Sequence, residues 1–176
     1  SYLLDTASVQ MTCVNDICNA IKNATGAIPI IAADGGGTHD PNRVEILVGF
    51  TNYQETEQVY SQIGYGDYMV KVVGKKIVVA AYSDNAFTIA TSKLINLINK
   101  NAKSGSLTIP ADTFFNETVD AKLAALPVYE GGTFSATYPC SNNGIMVYVT
   151  KTNADEYREY LEKLEDSGFV EYTTNE

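Results

Sequence analysis

Apolar positions recur along the chain in two rhythms, and each change of rhythm predicts the end of an element. In "SVQMTCVNDICNAIKNA", residues 8–24, Val9, Cys13, Ile17, Ile21 and Ala24 fall at spacings of three and four. That is the stripe of an amphipathic helix, with Ser8 as its N-cap and Gly26 just past its end. "AIPIIAA" follows as a short apolar strand, "DGGGTHDPN" reads as a loop, and "RVEILVG" as a second strand. "TNYQETEQVYSQIG" opens on Thr51 or Asn52 as cap and closes at Gly64, which predicts a short helix with Val59 and Ile63 inward and a parallel crossover to the next strand.

The alternation then sharpens. "YMVKVV" and "KIVVAAY" are strands joined by the tight turn "GKK", with Lys75 and Lys76 expected at its polar tip. Ser83 caps the next helix, with Asp84 in its first turn, and Phe87, Ala90, Leu94, Leu97 and Ile98 form one apolar face. Gly105 ends that helix, and "SLTIP" adds a short strand at the edge.

Residues 111–133 lack a sustained period and carry Pro127, Gly131 and Gly132, so they read as an interdomain connection with one helical turn. Beyond them "FSATYPC" and "GIMVYVT" are strands around the turn "SNNG". Thr152 or Asn153 caps "ADEYREYLEKLEDSG", with Tyr157, Tyr160, Leu161 and Leu164 on one face and the pairs Arg158–Glu162 and Glu159–Lys163 on the other. "FVEYTT" is a last strand.

The pattern predicts an α+β fold. A mixed sheet of about four strands with helices packed on it, in the order α-β-β-α-β-β-α, fills 1–110, and 111–133 is a linker. A small β-β-α-β unit fills 134–176, with so little core that it reads as the start of a larger domain that has been cut off.

Composition narrows the partners. Twelve Lys plus Arg against 21 Asp plus Glu give a formal charge of −9, a surface that repels phosphate backbones and anionic lipid. No nucleic-acid partner is expected. The longest apolar runs fall far short of the ~20 residues that span a bilayer, so no membrane insertion is expected either. Twelve Tyr with no Trp, among many Asn and Thr, give the polar surface common on exported bacterial proteins, which suggests an extracellular or cell-surface location.

Cys13, Cys18 and Cys140 do not make a disulfide framework. On one helix Cys13 and Cys18 point about 140° apart, too far to bridge. With one histidine in the chain, neither a zinc centre nor another metal or cofactor site is expected.

Four groups of residues raise the question of chemistry. The glycines of "DGGG", Asp34 to Gly37, follow a strand, but the Lys and Ser/Thr pair of a phosphate-binding loop is missing and a strand comes next. His39 beside Asp40 would make a small hydrolase only with a Ser, Thr or Cys in reach. The carboxylate pairs Glu55/Glu57, Glu117/Asp120 and Asp155/Glu156 fall in first turns or on exposed helical faces, as capping and dipole effects require. Tyr129, Phe134, Tyr138 and Tyr148 could stack on sugar rings, although tyrosines alternating on strands also serve plain sheet packing.

"EILVGFTN" followed by "GYGDYMVKVVGKKIVVAAYSDNAFTIA" resembles the non-catalytic N-terminal α+β domain that precedes the catalytic barrel in bacterial glycoside hydrolase family 20 and α-glucuronidase type enzymes. The likeness covers residues 8 to about 110. It extends to the same module in multidomain exported proteins of gut Clostridia, whose next segment is similar to "YREYLEKLEDSGFVEYTTN", Tyr157 to Asn175. Tyr53 stands where that family often has Arg. The resemblance implies a scaffold and carries over no catalytic residue, since the hydrolytic carboxylates of such enzymes lie in a barrel of roughly 250 residues.

The expectation is therefore a non-catalytic accessory region, with neighbouring domains of the same polypeptide as partners and a link to carbohydrate metabolism. The alternative is a carbohydrate-binding module using Tyr138 and Tyr148 of the second unit.

Overall fold

A computed structural model describes the backbone of residues 3–33, 39–139 and 145–170, and the side chains of 9–33, 39–133 and 146–170. The chain is α+β, built on a four-stranded mixed sheet. Helix α1 runs Leu3–Thr25. Strand β1 is Glu45–Val48, helix α2 Gln54–Tyr60, and strands β2 and β3 are Asp67–Val73 and Lys76–Ala81. Helix α3, Asp84–Asn101, is followed by the two-residue strands β4, Ala102–Lys103, and β5, Ser106–Leu107, which pair with each other. Strand β6 is Phe114–Thr118 and helix α4 Ala121–Ala124. The hairpin β7, Thr133–Pro139, and β8, Ile145–Thr150, precedes helix α5, Ala154–Asp166.

The sheet order is β1-β3-β2-β6, with β1 parallel to β3 and the other pairs antiparallel. Strand β3 lies inside, and every residue from Lys76 to Ala81 is buried, as the unbroken run "IVVAA" requires of a strand covered on both faces. On one face, α1 and α3 bring Cys13, Ile17, Ala20, Phe87, Ala90, Leu94 and Ile98 onto Tyr68, Val70, Ile77 and Val79. On the other, Val59, Tyr60, Ile63, Tyr65 and Leu123 cover Leu47, Met69, Val78 and Ala80, with Leu126, Val128 and Val147 at the margin.

Both long helices bury the stripes that their spacing predicts. The Ser83 side chain caps α3 by accepting from the Ala86 amide, and Asn153 and Glu156 form a capping box on α5. The outer end of the chain is a β-hairpin followed by that helix, and the strand expected from 169 to 174 falls mostly outside the described residues.

Four expectations are corrected. Residues 27–33 form no strand, because no neighbouring strand takes their backbone groups, and the fourth place in the sheet goes to β6 from the segment read as a linker. Helix α1 starts at Leu3, so Ser8 is not its cap. The β1–α2–β2 unit is not a parallel crossover: β3 inserts between the two strands, and β2 runs opposite to β1. Arg158 pairs with Asp155 and Lys163 with Glu130, not with the i,i+4 partners on α5.

Gly66 joins the segment after β6 to the sheet. Its carbonyl accepts from the Val119 and Asp120 amides, and a Cβ there would lie 2.1 Å from the Asp120 carbonyl oxygen. Only glycine allows that approach.

Candidate functional site

A group of charged side chains gathers where β1 and β3 begin. The β2–β3 hairpin turns at Gly74, whose φ of +59° suits glycine, and Lys75 is exposed there as its place at the tip predicts. Lys76 is not at a polar tip: it is 0% exposed. It stands opposite Glu45 in the parallel register, and the segment before β1 folds over it.

An ammonium group has three protons, and here each finds an acceptor. The Lys76 Nζ donates to the Asp40 carbonyl at 2.7 Å, the Arg43 carbonyl at 2.8 Å and Glu45 Oε2 at 2.6 Å. Tyr53 presents its ring 5.6 Å from the same nitrogen. The hydrogen bond from Lys76 holds the Glu45 carboxyl below the ordinary carboxylate range.

Around this ion pair, Arg43 Nε lies 3.8 Å from Glu45 Oε1, and Asp40 Oδ1 accepts from the Asn42 amide to shape the turn. His39 sets its ring edge-on to Tyr53, with centroids 4.5 Å apart, and its Nε2 is 3.2 Å from Glu55 Oε2 without the alignment of a hydrogen bond. Among the described residues, the contacts of the His39 ring are the Glu55 carboxylate and the Tyr53 ring.

Four of the six carboxylates singled out in the sequence take part in caps, hydrogen bonds or ion pairs of the fold, whereas Glu55 Oε2 is buried without a hydrogen bond. Asp120 caps α4 through the Lys122 and Leu123 amides. Glu117 accepts from the Tyr68 hydroxyl and lies 3.8 Å from Lys93. Asp155 binds Arg158, and Glu156 accepts from Thr152 and closes the capping box.

A second cluster is aromatic. Phe50, Tyr60, Tyr82 and Tyr65 meet edge to face in series at centroid distances of 5.2, 5.1 and 4.8 Å. The Tyr60 hydroxyl donates to the Ala81 carbonyl, and burial raises its pKa strongly. The Tyr65 hydroxyl accepts from the Tyr129 amide at 3.1 Å, and the Tyr160 hydroxyl donates to the Pro127 carbonyl. Tyr129 and Tyr160 stack edge-on at 4.9 Å.

The Tyr65 phenol thus ties the segment before the β7–β8 hairpin to the sheet, beside the packing of Val147 against the same core. Tyr65→Phe is expected to cost about 1 kcal/mol and to raise amide exchange at Tyr129 selectively, measured by urea unfolding and hydrogen exchange. Unchanged exchange at Tyr129 would remove Tyr65 from this role.

Beside Tyr160, a recess of about 170 Å³ is lined by Glu130, Gly131, Glu156, Glu159 and Lys163. Small-molecule sites usually enclose about 300–1,000 Å³, and Lys163 here is already bonded to Glu130. The outer face of the hairpin is a different surface. Tyr148 is 50% exposed and Met146 47%, while Val147 faces the core. The register places Tyr148 opposite Ala136 and Tyr138 opposite Met146, so the two tyrosine positions share a face of the ladder; the Tyr138 side chain lies outside the described residues, as does Cys140.

Sequence reasoning missed Lys76. The signal was an acid and a base each standing just before an apolar run, in "RVEILVG" and "KKIVVAA", but only the pairing of β1 with β3 sets Glu45 beside Lys76. Compared with known proteins, the chain matches no family model, no curated protein and no solved structure.

Proposed function

We propose that these residues form a non-catalytic accessory region of an exported bacterial protein linked to carbohydrate metabolism, which packs against or orients a neighbouring domain. One observation carries this reading: the buried lysine and four of the six carboxylates singled out in the sequence are engaged within the fold, with Glu55 Oε2 beside His39 an exception. Lys76 donates its three protons to Asp40, Arg43 and Glu45; Glu117 accepts from Tyr68, Asp120 caps α4, Asp155 pairs with Arg158 on its own helix and Glu156 closes the capping box of that helix. A general acid or base needs a free proton position aimed at a substrate. The link to carbohydrate rests on the resemblance of residues 8–110 to the family 20 accessory domain.

Hydrogen exchange of these 176 residues alone and joined to the proposed neighbouring domain tests the proposal. An accessory region that orients its neighbour gains a contiguous protected surface in the longer chain. Identical exchange in the two settings would overturn it.

The second reading is a carbohydrate-binding module that uses Tyr138 and Tyr148. What favours it is the half-exposed Tyr148 beside Met146 on the outer face of the β7–β8 hairpin, since aromatic faces stack on sugar rings.

A further inference from the structure

Residues 27–33, "AIPIIAA", have the composition of a strand and hold no secondary structure. Ile28, Ile30 and Ile31 are 75%, 83% and 47% exposed, and Val44, next to β1, is 70% exposed. A run of isoleucines in water is a cost that pairing would remove. The sheet has a matching vacancy: β1 is its terminal strand, with β3 as its one strand partner among the described residues. Edges are commonly blunted by charge, but the one charged side chain of β1, Glu45, is bound to Lys76.

The chain cannot easily fill this edge with its own segment. Helix α3 starts where β3 ends and runs back to the β4–β5 turn, where Gly105 lies 3.7 Å from the Thr25 carbonyl on a Cβ basis. Gly49, past the end of β1, lies against Gln10 of α1. Helix α1 therefore ends near the level at which β1 begins, and residues 27–33 leave from that end.

Placed beside its own β1, the segment would run parallel to it. A parallel pair needs a crossover of about a dozen residues or more. Here only 34–39 separate the segment from Asp40, whose carbonyl is held by Lys76. At the other end Gly26, at φ +77°, closes the helix, and the Ala27 amide donates to Thr25 Oγ1. A segment from another molecule has no such tether.

We propose that residues 27–33 add as a strand to the β1 edge of a second copy of this chain, and that the exchange is reciprocal about a two-fold axis. Pro29 is compatible with this role, because an added strand is itself an edge and leaves every second amide facing out. The proposal stands on these two segments and is independent of the accessory reading.

Sedimentation equilibrium of the intact chain over a wide concentration range tests it, beside Ile30→Lys. Ile30 is among the most exposed residues, so the variant keeps its fold, which circular dichroism checks. The wild-type mass should rise from 19.1 kDa towards twice that value, and Ile30→Lys should weaken association about tenfold or more. Hydrogen exchange should show protection of the Ile46, Val48, Ile28, Ile30 and Ala32 amides in the dimer alone. A mass that stays at 19.1 kDa, a dimer indifferent to Ile30→Lys, or protection of the Ile28, Ile30 and Ala32 amides in the monomer would each overturn the proposal.

Discussion

Lys76→Met is expected to lower stability by about 3 kcal/mol and to release the backbone of residues 40–45. Methionine keeps most of the length and volume of the side chain, so the loss isolates the charge and its three hydrogen bonds. Removing one partner of a buried pair costs about 3–5 kcal/mol, and the lower end applies because Glu45 retains 23% exposure and regains water. Against a total of about 5–15 kcal/mol for a domain, that is a large fraction. Lys75→Met, at the exposed tip of the same turn, should change stability by no more than about 0.5 kcal/mol.

The same pair sets an acid limit. The Glu45 carboxyl is held below its unfolded value chiefly by the hydrogen bond from Lys76. Its contribution is complete above the ordinary carboxylate range and is lost as pH falls through the lowered folded value. Urea unfolding of wild type should weaken in that window, and Lys76→Met should weaken less there. Equal losses for Lys76→Met and Lys75→Met would show that the buried ammonium does not hold the fold.

At the alkaline end, stability should fall steeply from about pH 10, the ordinary phenol value. Burial is the leading cause of raised values in Tyr60, Tyr65, Tyr68, Tyr82 and Tyr160, with Tyr68 and Tyr160 each pushed up to about 12. The fold thus favours the neutral phenol. Its stabilisation is complete below the unfolded pKa and is lost as pH rises towards the folded values, at roughly 1.4 kcal/mol per unit of difference for each tyrosine. Tyr68 and Tyr160 alone bring the loss to several kcal/mol by pH 12. The tyrosinate absorbance of the five buried phenols should appear in one cooperative step together with the change in far-ultraviolet circular dichroism. Ionisation of all twelve tyrosines near pH 10 with the dichroism unchanged would mean that these phenols are not buried as described.

What the sequence disclosed depended on how local the determinant is. The stripes of α1 and α3, the Ser83 and Asn153 caps and the β2–β3 hairpin are set by residues three or four positions apart, and each was legible. Sheet order was not, because placing β3 between β1 and β2 and adding β6 at the edge depends on contacts across tens of residues. "AIPIIAA" has the local composition of a strand, but composition cannot supply the partner on which a strand depends.

The candidate site was legible only in outline. His39, Glu55 and Glu117 drew attention by residue type, yet Lys76 looked like a turn lysine because its three acceptors come from a loop and a strand more than 30 positions away. The tyrosines of the hairpin were visible, whereas the role of Tyr65 in tying the segment before it to the sheet rests on an amide 64 residues distant.

A glycan-array screen of the intact chain, beside Tyr148→Ala, tests most directly the claim that this is a scaffold and not a recognition module. The account predicts no specific retention of any glycan by either protein. Retention of a defined glycan by the wild type that disappears in Tyr148→Ala would contradict it and assign recognition to the outer face of the β7–β8 hairpin.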